Sequence, residues 1–121
     1  MKEKEELIQE LLSLPGEIET IELDILKKNE SLREISDLIR SKEADIKSSI
    51  NAAQDENGKK VFTNDQARQA EFIASSHEDT ELCDLYLQES KLSTLISIAR
   101  INIDRLSNHQ RNIRAVIDWI K

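Results

Sequence analysis

The chain has 121 residues, of which 38% are hydrophobic, 34% are charged and 3% are aromatic, and its formal net charge is −7. The scarcity of aromatic residues argues against a β-sandwich, a barrel or a base-stacking platform, and the negative charge argues against a general role on nucleic acid or at a membrane surface. One domain is expected at this length, built from long helices that face solvent on most sides.

The location expected from the sequence is the cytoplasm. The sequence contains no run of 18 apolar residues that could span a membrane, and its charged start lacks the hydrophobic region of a secretory signal. The single cysteine, Cys83, cannot form an internal disulfide and fits a reducing compartment.

The first predicted helix covers residues 2–53. Apolar residues recur along it every three or four positions, which is typical of a helix that buries one stripe. The stripe consists of Leu7, Leu11, Leu14, Ile18, Ile21, Ile25, Lys28, Leu32, Ile35 and Ile39. Pro15-Gly16 interrupts the helix but not the stripe. Because an internal proline removes a backbone hydrogen bond, we expect a kink there or two collinear helices.

A turn is predicted at residues 54–62, where the helical period stops. Its centre is Asn57-Gly58, a pair that accepts a positive φ angle at little cost. Thr63 and Gln66 follow at the spacing of a capping box, so Thr63 is the predicted N-cap of the next helix.

Beyond the turn, the sequence predicts a short helix at residues 64–74 and a long helix at residues 77–120. Ser75-Ser76 separates them and repeats the capping pattern with Glu78. The long helix has its own stripe, made of Leu82, Leu85, Glu89, Leu92, Ile96, Ala99, Ile103, Leu106, Gln110, Ile113, Ile117 and Ile120.

The two stripes match when the chain folds back on itself, for example with Ile25 opposite Leu92. Lys28 then falls opposite Glu89, and we interpret this as a structural ion pair that sets the register. The predicted fold is therefore all-α: a long antiparallel helical hairpin, or coiled coil, with kinks near Pro15-Gly16 and Ser75-Ser76, which forms a single domain over residues 1–121 and associates into a helical bundle.

Apolar residues also lie outside the stripes, and we expect them to be a protein-interaction surface. Leu23 and Leu26 on the first helix and Leu95 and Ile98 on the last form a second stripe. The other off-stripe apolar residues include Ile8, Leu12, Leu38, Tyr86, Leu87, Ile101, Val116 and Trp119. Self-association into a homo-oligomer is favoured over a different protein partner and over a monomer that tolerates the exposure.

The carboxyl end of the last helix extends beyond the first helix in this pairing. Its candidate interaction residues are Arg111, Ile113, Arg114, Val116, Ile117, Trp119 and Ile120. Apolar residues bordered by arginine, with one tryptophan, have the composition of an interface hot spot. This end either binds a protein partner or closes the oligomer against a second copy, and the sequence leaves both open.

No residue pattern indicates an enzyme, a metal site or a cofactor site. His77 and His109 are both preceded by residues that do not form the Glu-x-x-His pattern of di-iron bundles, and one cysteine is too few for a typical zinc site. We expect His77 on the surface at a helix start, His109 in solvent, and Cys83 as a small buried hydrophobe beside the stripe.

The span from Asp55 to Glu71 resembles the turn of small uncharacterised coiled-coil hairpin proteins of phages and prophages of Gram-positive bacteria. The shared features are an acidic-Asn-Gly-Lys turn, an aromatic residue, Ser/Thr-Asn and then a helix with Arg and Ala at similar spacing. The resemblance implies a phage or mobile-element setting and suggests accessory roles in recombination or replication.

Two classes of function follow. The first is a non-enzymatic oligomeric scaffold or adaptor, accessory to phage DNA metabolism or assembly. The alternative is an acidic DNA-mimic inhibitor of a host nuclease, which would need acidic residues ordered along one exposed face. Because acidic residues here are mixed with Lys and Arg on most turns, the scaffold is favoured, without direct contact with nucleic acid or membrane.

Overall fold

A computed structural model describes residues 3–120, and in that range the chain forms three α-helices and no strand. Helix α1 is Lys4–Ala52, α2 is Asp65–Glu78 and α3 is Thr80–Trp119. The predicted all-α helical hairpin is confirmed. The predicted start of the first helix, Lys2, lies outside the described residues.

Helix α1 continues through Pro15 without a break. The helix has 49 residues, and its first turn contains Glu5 and Glu6, whose negative charges interact favourably with the helix dipole. Proline removes one backbone hydrogen bond, which is a small fraction of the bonds in so long a helix. Because Pro15 lies inside one continuous helix, the alternative of two collinear helices is wrong. The kink at Pro15-Gly16 stays a prediction.

The turn between α1 and α2 is built around Asp55. Its Oδ1 accepts hydrogen bonds from the backbone N–H groups of Asn57 and Lys59, each at 2.9 Å. Gln54 and Lys60 form an isolated antiparallel bridge. Gly58 has φ +79°, the left-handed conformation that glycine adopts without a steric penalty, and this confirms the predicted turn centre.

Helix α2 begins one residue later than the capping pattern predicted. The N-cap is Asn64, whose side chain accepts the N–H of Ala67 at 2.7 Å, so the assignment of Thr63 was wrong. Asparagine ranks above threonine as an N-cap, and it occupies the position from which its oxygen reaches the third N–H of the helix.

The break before α3 lies at Asp79 and not at Ser75-Ser76. Both serines are inside α2, and Ser75 Oγ bonds to Glu71 Oε1 at 3.1 Å instead of capping a new helix. Asp79 is the only non-helical residue between α2 and α3, and its Oδ1 accepts the N–H of Leu82 at 3.0 Å. The predicted boundaries at 74 and 77 are corrected to 78 and 80, because the carboxylate of Asp79 caps α3.

The helices form two compact units, which we describe separately. The terminal unit is Met1–Glu30 with Leu92–Lys121, and the turn unit is Ser31–Lys91. The buried apolar side chains of the terminal unit are Leu14, Ile25, Ile96 and Ile113, and those of the turn unit are Ile39, Ile50 and Leu82. Contact between two helices buries only a narrow stripe of each, and few side chains are therefore fully buried. The single domain predicted for residues 1–121 stays a prediction.

Candidate protein-interaction surface

Exposed apolar side chains are concentrated in the terminal unit. Of the fourteen large hydrophobic residues exposed in the described chain, ten belong to this unit and four to the turn unit. The ten are Ile8, Leu12, Leu23, Leu26, Leu95, Ile98, Ile101, Val116, Trp119 and Ile120. The two units have similar lengths, so the difference marks the terminal unit as the candidate interaction surface.

Four of these residues share one side of α1, which we call the α1 face. Ile8, Leu12, Leu23 and Leu26 fall within about 60° around the helix, because an α-helix turns by roughly 100° per residue. Three glutamates fall within the same sector and are exposed: Glu5, Glu19 and Glu30. The α1 face is therefore apolar and acidic.

The exposed residues of α3 in this unit form a second surface, the α3 face. Its apolar members are Leu95, Ile98, Ile101, Val116 and Trp119, which lie within about 120° around the helix. Arg105 and His109 fall in the same sector and are exposed. The α3 face is therefore apolar, with the positive charge of Arg105. The exposure of Leu23, Leu26, Leu95 and Ile98 agrees with the sequence, whereas their role in association stays a prediction.

The two faces lie on opposite sides of the terminal unit. His109 on the α3 face bonds through Nε2 to Glu10 Oε1 on α1 at 2.7 Å. The Glu10 side of α1 and the α3 face thus share one side of the unit. Leu12 is two residues beyond Glu10, and that spacing turns its side chain by about 200° around the helix. The α1 face therefore points away from the side on which the α3 face lies.

The carboxyl end of α3 differs from the prediction at Ile113. This side chain is 3% exposed and belongs to the core of the terminal unit. A lone helix cannot bury an isoleucine to that extent, so other parts of the terminal unit cover it. The assignment of Ile113 to the exposed interaction surface was wrong.

The rest of that end remains accessible. Arg111, Arg114, Val116 and Ile120 are exposed, Ile117 is half-buried, and Trp119 is 88% exposed. The end therefore still presents an aromatic and apolar surface bordered by two arginines, in the composition of an interface hot spot.

Two of the off-stripe apolar residues were assigned neither to the second stripe nor to the carboxyl end. Leu12 and Ile101 are, after Trp119, the most exposed large hydrophobic side chains in the described chain. The sequence contained the signal: Leu12 has the helical spacing that places it with Leu23 and Leu26, and Ile101 continues the three-residue spacing of Leu95 and Ile98.

The two members of the predicted structural pair each have a partner within their own unit. In the terminal unit, Lys28 Nζ bonds to Asp24 Oδ2, one turn earlier on α1. In the turn unit, Glu89 Oε2 accepts a hydrogen bond from Ser36 Oγ at 3.1 Å. Both side chains are half-buried. These partners account for each polar group separately, and the pairing of Lys28 with Glu89 stays a prediction.

Lys42 connects α1 to the α2–α3 break within the turn unit. Its Nζ lies 2.7 Å from Glu81 Oε2 and 3.7 Å from Asp79 Oδ2. The hydrogen bond to Glu81 is the main reason that the pKa of Lys42 is raised above its ordinary value. The lysine therefore stays charged and links α1 to the residue that caps α3.

Tyr86 makes the second polar link between α3 and α1 in the turn unit. Its hydroxyl donates to Glu43 Oε2 at 2.7 Å. Burial, and after it the hydrogen bond and the charge of Glu43, raise the pKa of Tyr86 to about 12. Since the unfolded value is about 10, this group stabilises the fold fully below that pH, and the contribution is lost as the pH rises towards 12.

We expect ultraviolet titration to report this link directly, because Tyr86 is the only tyrosine of the chain. The midpoint should lie near 12 in the native protein. Glu43→Gln should lower it, while leaving it above the ordinary value, because burial is the larger cause. Asp45→Asn, at an exposed position two residues away, is the control and should change nothing. An unchanged midpoint in Glu43→Gln would show that the bond does not form in solution. Circular dichroism must confirm helicity at each pH.

Both histidines and the cysteine are exposed. Cys83 is exposed, which corrects its assignment as a buried hydrophobe, and its Sγ lies 3.4 Å from the carbonyl oxygen of Ser76. His77 is exposed near the end of α2 and not at a helix start. Among residues 3–120, no group of three His, Cys, Asp or Glu side chains could hold a metal ion.

Comparison with known proteins adds no relative. No protein-family model matches the chain, and neither does a curated protein or a solved structure. None of the helices in the described part of the chain is both long and apolar enough to cross a membrane. The two faces of the terminal unit are therefore the best guide to function.

Proposed function

We propose that this protein is a non-enzymatic coiled-coil scaffold or adaptor that works as a homo-oligomer. The observation that carries the proposal is the concentration of ten exposed apolar side chains in the terminal unit. Single exposed leucines are common on soluble proteins, but several large apolar side chains on one face of a helix mark an interaction site.

The free energy gained by covering these side chains supports a reversible assembly. Complete burial of a leucine or isoleucine side chain is worth about 1.5–3 kcal/mol, so half-exposed side chains gain roughly half of that when a partner covers them. Ten of them contribute on the order of 10 kcal/mol, similar to the estimated 4–15 kcal/mol lost in translational and rotational freedom. Association should therefore depend on protein concentration.

The pattern of charge weighs against a DNA mimic. Acidic residues are interleaved with basic ones, as in the ion pairs of Asp24 with Lys28 and Asp37 with Arg40, each within one turn of α1. A mimic of DNA needs exposed acidic groups that follow one another at the spacing of phosphates. Mixed pairs of this kind support the scaffold.

An adaptor role would use the carboxyl end, where Trp119 and Val116 are exposed beside Arg114. The biological setting, as an accessory to phage or prophage DNA metabolism or assembly, rests on the resemblance of residues 55–71 alone.

Sedimentation equilibrium of the wild-type protein tests the proposal. The apparent mass should exceed the chain mass of 13.9 kDa and should rise with concentration across the micromolar range. Such an increase is expected because other copies would bury the exposed apolar side chains of the terminal unit. A mass of 13.9 kDa at every concentration would contradict self-association.

A further inference from the structure

We infer that copies of this chain assemble with the α1 face of one copy packed on the α3 face of the next. This inference rests on the proposed self-association and specifies how it occurs. Both faces belong to the terminal unit, and each presents four or more large apolar side chains to solvent.

The charges of the two faces are complementary. The sector of α1 that holds the apolar residues contains Glu5, Glu19 and Glu30 and, within the described residues, no basic side chain. The corresponding sector of α3 in this unit contains Arg105 and His109 and no acidic side chain. His109 already bonds to Glu10, so Arg105 supplies the charge that stays available. Opposite charges therefore meet when the α1 face of one copy packs on the α3 face of another.

Pairing of identical faces is disfavoured by the same charges. Two α1 faces would bring glutamates together, and two α3 faces would bring arginines together, and like charges across an interface oppose association. A partner with a matching basic and apolar surface is present on every copy of this chain. That is why we assign the second copy, and not an unrelated protein, as the occupant.

The positions of the faces determine the kind of assembly. They lie on opposite sides of the unit, as the contact between His109 and Glu10 establishes. When one copy uses its α1 face, its α3 face remains open for a third copy. Such a contact is heterologous, and it leads to a ring or an open chain of copies and not to a closed two-fold dimer.

The α3 face also has a concave place for an apolar side chain. A shallow groove at its edge is lined by Ile101, Asp104, Arg105, Asn108, His109 and Asn112, so an acidic side chain stands beside Arg105 there.

Two variants that each block one face test the inference. The α1-blocked variant is Leu23→Glu with Leu26→Glu, and the α3-blocked variant is Leu95→Glu with Ile98→Glu, so that the two blocked faces repel each other in a mixture. All four positions are exposed, so both variants should fold, and circular dichroism checks this. The masses of each variant alone and of an equimolar mixture are then measured by analytical ultracentrifugation.

We expect each blocked variant alone to be a monomer of 13.9 kDa and the mixture to form a species of twice that mass. The mixture retains one intact contact, between the α1 face of one variant and the α3 face of the other, and assembly stops there. A dimer formed by either variant alone would reveal a contact between identical faces. That result, or a mixture that stays monomeric, would overturn the inference while wild-type self-association stands. A monomeric wild type would overturn both.

Discussion

Replacement of Leu95 and Ile98 by glutamate should convert the oligomer into a monomer of 13.9 kDa. Each substitution removes apolar contact worth up to about 1.5–3 kcal/mol, and burial of a carboxylate costs several more. Even a total near 4 kcal/mol weakens association roughly 1,000-fold. The two side chains are 47% and 50% exposed in the single chain, so helicity should be retained. Sedimentation equilibrium and circular dichroism measure the two properties.

The matched control is Leu38→Glu with Leu87→Glu in the turn unit. These leucines are 55% and 59% exposed, so the control makes the same chemical change at equally accessible positions. It should leave the oligomer intact. If both double variants dissociate to the same extent, the interaction surface is not confined to the terminal unit. If neither dissociates, the α3 face is not part of the contact.

Ile113→Ala should destabilise the fold by about 2–5 kcal/mol, the usual range for truncation of a buried isoleucine. The loss has two sources, the transfer free energy of the removed atoms and the cavity that they leave. Against the about 5–15 kcal/mol that stabilise a typical domain, this is a large effect. Urea unfolding followed by circular dichroism at a fixed protein concentration measures it.

Val116→Ala is the control for this experiment, since Val116 lies three residues further along the same helix and is exposed. Its free energy of unfolding should change by no more than about 0.5 kcal/mol. Equal small effects at both positions would place Ile113 on the surface, as expected if the last helix extends beyond the first, and would return it to the candidate interaction residues.

The burial of Ile113 narrows the part of the carboxyl end that can bind a partner. Arg111, Arg114, Val116, Trp119 and Ile120 remain accessible, and they are the positions at which a search for an adaptor function should begin. Removal of Ile113 along with them would disturb the core of the terminal unit, so a change in binding could not be attributed to the surface. Substitution of Trp119 alone avoids this problem.

Local features of the sequence were sufficient to predict the helices and the turn. The recurrence of apolar residues every three or four positions indicates α1 and α3, because it depends only on the helical period. Gly58 marks the turn because few other residues adopt a positive φ angle without strain. The caps were predicted less well: Asn64 and Asp79 cap where Thr63 and Ser75 were expected. Neighbouring polar residues compete for the N-cap position, and small differences in free energy determine which of them caps the helix.

By itself, the sequence determined that the chain is a helical hairpin with apolar residues outside its seam. Only the tertiary structure decided which residues those helices leave uncovered. Ile113 belongs to the stripe that helical spacing defines, but whether that end of the stripe is covered depends on the rest of the terminal unit, and in the structure its side chain is 3% exposed. The opposite orientation of the α1 and α3 faces likewise depends on which side of α1 meets His109. Helical periodicity determines how residues are arranged around one helix, whereas the contact between two helices determines which of their surfaces lie on the same side of the unit.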